Sequence, residues 1–187
     1  EIKSTIKPGM EIAITCGSRG IANIKFIIRE ICTCVKERGA KPFIVPSMGS
    51  HGGATAEGQR EIIESYGVTE EFCGAPIRSC MDVRRIGSTE DGRDVFIDKI
   101  ASEADGIIVA GRVKPHTDFR GPYESGLMKM MVIGLGKQRG AETFHEEGPE
   151  HMARNLQLYG KAILENAPIL FGIAILENAY DETAKIE

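Results

Sequence analysis

The sequence predicts an α/β fold: a mostly parallel sheet with helices on both faces, plus a small hairpin around residues 83–98. Three observations carry this. Short β-rich runs alternate with segments whose apolar residues recur at helical spacing. Each of the first two runs opens at once into glycines and then a helix, the pattern of parallel strand–turn–helix units. A pair of short strand signals flanks an Asp-Gly turn, which reads as a hairpin.

The elements follow in order. Residues 11–16, EIAITC, form a strand that ends in Gly17-Ser18-Arg19-Gly20. From Asn23, Ile24, Ile27, Ile28, Ile31, Cys34 and Val35 trace one helical face, and Arg38-Gly39 closes it. Orphan N–H groups in such a first helical turn favour an anion, with Ser18 and Arg19 as added donors; a serine that merely caps the helix is the plainer reading. The run Pro42–Pro46 is a second strand, leading into SMGSHGGAT and a helix with Ile62, Ile63 and Tyr66 inward and Gly67 at its end. His51 stands there among small residues at a strand's C-terminal end, where a group titrating near neutrality suits proton transfer.

Residues 68–100 look auxiliary, with Arg84 and Arg85 solvated and a hairpin turning at Glu90-Asp91-Gly92. A short helix over 98–104 precedes the clearest strand, Gly106–Val113. That strand delivers KPHTDFRGPYESGLMK, residues 114–129, which runs into a Met-rich helical segment. The following GLGKQRG fails as a phosphate loop, because no Ser or Thr follows its lysine; a helix breaking at Gly134–Gly136 is preferred. His145 lies in a polar helical stretch, a last helix spans 150–166, and a final strand spans 169–175.

Composition excludes several classes. With 187 residues and a net charge of −4, the chain has a core-sized length and no basic footprint for nucleic acid or a polybasic membrane patch. No apolar stretch is long enough to span a bilayer. The five cysteines include no C-x-x-C pair, so free thiols in a reducing cytoplasm are expected rather than disulfides or zinc. The start at Glu1 and the ending in ETAKIE suggest one domain, residues 1–187, of a longer polypeptide.

GSRGIANI, PSMGSHGGATAEGQ and KPHTDFRG…ESGLMKM together resemble the N-terminal domain of the nickel-dependent lactate racemase family, which includes homologues acting on other 2-hydroxy acids. The resemblance runs over nearly the whole chain and implies a racemase or epimerase of a 2-hydroxy acid, an isomerase. It also implies a cofactor, a nickel-pincer nucleotide derived from niacin. In Ser125-Gly126-Leu127-Met128-Lys129, Lys129 would be the covalent tether, with Ser125 and Gly126 beside it. His145, about four helical turns on, would supply nickel's protein ligand. His51 and His116 match the two proton-shuttling histidines, and Ser18-Arg19 matches a cofactor- or substrate-touching pair. A C-terminal domain, absent from this chain, would complete the substrate site; a homo-oligomer is compatible with the reading.

Two departures imply a different substrate or altered nucleotide contacts. Cys16-Gly17 stand where an acidic residue and a histidine are expected, and the His116 loop is longer, with Asp118, Arg120 and Glu124. Two other readings stay open: a nickel-independent α/β enzyme holding another phosphate-bearing ligand at its glycine turns, and a non-catalytic binding half of a larger protein.

Overall fold

The structure, a computed structural model, describes residues 5–117 and 119–187. Its centre is a five-stranded sheet in the order β2 (Lys41–Pro46), β1 (Glu11–Cys16), β5 (Gly106–Arg112), β6 (Ile169–Glu177), β7 (Thr183–Ile186). β1 (Glu11–Cys16) pairs in parallel with β2 (Lys41–Pro46), from Glu11↔Lys41 to Cys16↔Pro46. On its other edge β1 pairs in parallel with β5 (Gly106–Arg112), which in turn pairs with β6 (Ile169–Glu177). A final strand missed by sequence reasoning, β7 (Thr183–Ile186), runs antiparallel along β6. The chain steps outward from β1 to β2 and then crosses to the other side of β1 for β5. The strand order therefore reverses beside β1, and ligands of open α/β sheets bind at such a point, beyond the strands' C-terminal ends.

Alternation along the strands sends side chains to opposite faces, and each face has its own core. Ile12, Ile14, Ile44 and Ile108 meet α1 (Ile24–Glu37), whose buried face is Ile24, Ile27, Ile28, Ile31, Cys32 and Val35. α2 (Ala56–Ser65) and the short α3 (Glu70–Cys73) complete that layer through Ile63 and Cys73. Thr55 caps α2 by accepting from Gly58 N at 3.0 Å. Cys16, Cys32 and Cys73 lie inside this core, and all five cysteines are free. Burial pushes the Cys16 and Cys32 thiols up to about 12, so they behave as small apolar residues rather than nucleophiles.

Ala13, Phe43, Val45, Ile107 and Val109 face the second core. The hairpin β3 (Val83–Ser88) and β4 (Asp94–Asp98) covers part of it, followed by α4 (Lys99–Ser102), which Asp98 caps. Next come α5 (Leu127–Lys129), a π-helical turn over Met130–Gly134, α6 (Lys137–His145) and α7 (Met152–Asn166). Leu135, Phe144, Leu156 and Ile163 from this run are almost fully buried. Burying such a side chain contributes about 1.5–3 kcal/mol. Among the described residues no helix is long and apolar enough to cross a membrane.

Candidate active site

The three loops leaving β1, β2 and β5 meet at the same end of the sheet. With the segment after β5 they line a cleft of about 480 Å³, within the range of small-ligand sites. All eight residues singled out from the sequence face it: Ser18, Arg19, His51, His116, Ser125, Gly126, Lys129 and His145.

The first loop differs from a tight turn opening directly into a helix. Ser18 and Arg19 precede α1 by several residues, and Asn23 occupies the helix's N-cap position at φ +63. Glu177 of β6, 4% exposed, takes the Ala22 N–H at 2.6 Å. The anion expected near this helix start is thus supplied in part by the protein itself. Glu177 also pairs with Arg112 at the end of β5. Burial would raise its carboxyl, but the Ala22 N–H and the Arg112 guanidinium together hold it below the usual carboxylate range.

Ser18 Oγ lies 2.6 Å from His51 Nδ1, and Tyr66 OH donates to Ser18 O at 2.7 Å. A hydroxyl can accept from Nδ1–H or donate to bare Nδ1, so Ser18 can follow either imidazole tautomer. The His51 loop sits tightly on α2: a Cβ at Gly52, where φ is +68, would fall 2.6 Å from the Gly58 carbonyl carbon. At Gly17 a Cβ would lie 2.9 Å from Met130 Cε, the flexible end of the side chain that fills this part of the cleft wall.

The loop after β5 is organised by Glu124. Its carboxylate accepts from His116 N at 3.0 Å and Gly121 N at 3.3 Å, and it lies 3.8 Å from Arg120. The His116 N–H, foremost, holds the Glu124 carboxyl below its ordinary range. Asp118 lies outside the described residues. The His116 ring packs on Phe119 with centroids 4.3 Å apart, and its Nε2 lies 3.0 Å from Lys129 Nζ. His145, at the end of α6, directs Nδ1 to Ala141 O at 2.5 Å. With Nδ1 donating there, Nε2 keeps the lone pair a metal needs.

Electrostatics favour an anionic ligand. Arg19, Arg112, Lys114 and Lys129 line the cleft, and no carboxylate does among its described lining residues. Arg112 was given no role by the sequence reading, and Lys114 entered it only as the first residue of KPHTDFRG, because a cation at a strand end has no signature of its own. Another depression, of about 550 Å³, is lined by Arg84, Lys99, Glu103 and Arg139, mixes charges and holds no histidine.

The profile of the lactate racemase N-terminal domain family matches residues 1–155. This chain belongs to that family. The lactate racemase apoprotein from Thermoanaerobacterium thermosaccharolyticum shares its fold, with a TM-score of 0.64 at 15% identity. The likeness covers 100% of this chain and 47% of that one, so the chain spans about half the length of that relative. No curated protein matches the chain.

The family implies a nickel-bearing nucleotide, and the donor set fits such a group. Lys129 offers an amine inside the cleft and His145 an imidazole on its wall; Arg19, Arg112 and Lys114 could hold a phosphate. Among the described residues no group of three or more His, Cys, Asp or Glu side chains could hold a metal ion.

Proposed function

We propose that this chain is the cofactor-carrying part of a 2-hydroxy acid racemase or epimerase. The observation that carries the reading is the convergence of Lys129, His145, His51 and His116 on one cationic cleft. Lys129 would tether the nickel-pincer nucleotide, and His145 Nε2 would ligate its metal. When bound, that group supplies a reversible acceptor for the substrate's α-hydrogen leaving as hydride.

The chain's own residues do the rest. Arg19 and Lys114 attract the anionic groups and orient them by charge-assisted hydrogen bonds, while Arg112, its charge offset by Glu177, contributes its remaining N–H groups. As the α-hydrogen leaves, the substrate hydroxyl must lose its proton, and an imidazole with a pKa of about 6.5 suits that transfer. His51 can take it at Nε2 while Nδ1–H is held by Ser18. The product of this half-reaction is a planar 2-oxo acid, which can be reduced from either face. His116 serves the opposite enantiomer, its ring held by Phe119 and its Nε2 beside Lys129. The loops carrying the two histidines leave β2 and β5, which flank β1, so proton acceptors reach the cleft from two separate strands. The free thiols, three of them buried, support a reducing, cytoplasmic setting.

Replacing either histidine tests the roles. In the full-length loaded enzyme, His51→Ala or His116→Ala should lower kcat for racemisation about 10²-fold or more. Each single variant should impair proton removal from one enantiomer more than from the other. Full activity in both variants would refute the assignment and favour a binding role for the cleft.

A further inference from the structure

The GLGKQRG run, which is no phosphate loop, contains the most buried cation among the described residues. Lys137 adopts a left-handed backbone conformation (φ +55) at the start of α6, and its side chain is fully buried. Its ammonium has three donors, and three acceptors surround it. They are Pro46 O at 2.5 Å, Gln59 Oε1 at 2.9 Å and Asp98 Oδ2 at 3.1 Å, with Asp98 itself fully buried. Pro46 ends β2 and leads directly into the His51 loop.

Gln59 is fully buried too, and its orientation follows from Lys137. With Oε1 facing the ammonium, the amide NH₂ must point the other way. It donates to Gly49 O at 2.8 Å and His51 O at 3.3 Å. Flipping the amide would set NH₂ against an ammonium, take the side-chain donor from Gly49 O and leave His51 O only the Ala54 N–H at 3.4 Å. The carbonyls of residues 46, 49 and 51 are therefore tied to one buried cation, directly or through one amide. His51's imidazole is held at its other end by Ser18.

We propose that Lys137 and Gln59 are positioning residues that fix the His51 loop, and with it the imidazole, relative to the cleft. The significance of this for catalysis rests on His51 acting as the proton acceptor proposed above. The same helix carries Lys137 in its first turn and His145 in its last, so one rigid element sets the His51 loop and the candidate metal ligand together.

The test uses the full-length protein with Gln59→Glu and Gln59→Met. Glutamate keeps an acceptor for Lys137 but loses both donors to the loop; methionine keeps the volume and loses every polar contact. Peptide-resolved hydrogen exchange should show the amides of His51, Ala54 and Thr55 opening about 10-fold or more faster in both variants. Amides in β1 and β5 should hold their rates. With ¹⁵N-labelled histidine, the ring signals of His51 should move while those of His145 stay. Unchanged exchange in the loop, or acceleration shared equally by β1 and β5, would overturn the proposal. The outcome is independent of the catalytic reading: a loop that loosens as expected, in a protein whose His51→Ala variant keeps full activity, retains the positioning and removes the proton-acceptor role.

Discussion

Glu177→Gln tests the clamp between β6 and the loop that carries Ser18 and Arg19. The carboxylate is 4% exposed and accepts from Ala22 N and from Arg112. A glutamine can satisfy one of these donors through its oxygen, but its NH₂ then faces the other. The substitution therefore removes a charge-assisted bond and leaves a poorly partnered cation, at a cost of about 2–4 kcal/mol at pH 7. The pH dependence follows from the carboxyl being held below its ordinary value of 4.5 in the folded state. A lowered folded pKa stabilises the protein in full above the unfolded value and loses that contribution as the pH falls through the folded value. Urea unfolding should show wild type ahead of Glu177→Gln at neutral pH, with the gap closing below about pH 4. Equal stabilities at pH 7, or a gap that does not narrow as the pH falls below the ordinary carboxyl value, would refute this account of the clamp.

Two further substitutions follow from buried geometry. Lys137→Met leaves the Asp98 carboxylate buried without its cation, so unfolding free energy should fall by about 3–5 kcal/mol in a urea titration. Adding Asp98→Asn, which can still cap α4 at Ala101 N, should recover part of that loss. Gly52→Ala places a methyl against the Gly58 backbone at a left-handed φ, and should cost about 2 kcal/mol or more by the same assay.

Much of this fold was legible because burial follows period. The isoleucines of α1 sit at helical spacing and all face the sheet. The candidate site was legible by motif alone, since His51, His116, Lys129 and His145 come together only through the strand order. β7 was missed because TAKI is a four-residue, mostly exposed edge strand, too short for its polar–apolar alternation to stand out. The π-helical turn at Met130–Gly134 leaves no compositional mark that separates it from an ordinary helix. Lys137 drew no role from the sequence, because its partners Pro46, Gln59 and Asp98 are remote along the chain. The Ser18–His51 contact spans 33 residues and was likewise invisible.

The central claim is that Lys129 carries a nickel-bearing nucleotide. Intact mass and nickel content of the full-length protein, made in cells that supply the cofactor, test it most directly. The account predicts an added mass that maps to the peptide containing Lys129, about one nickel per chain, and loss of the added mass in Lys129→Ala. An active protein with no adduct, or an adduct that persists in Lys129→Ala, would contradict it.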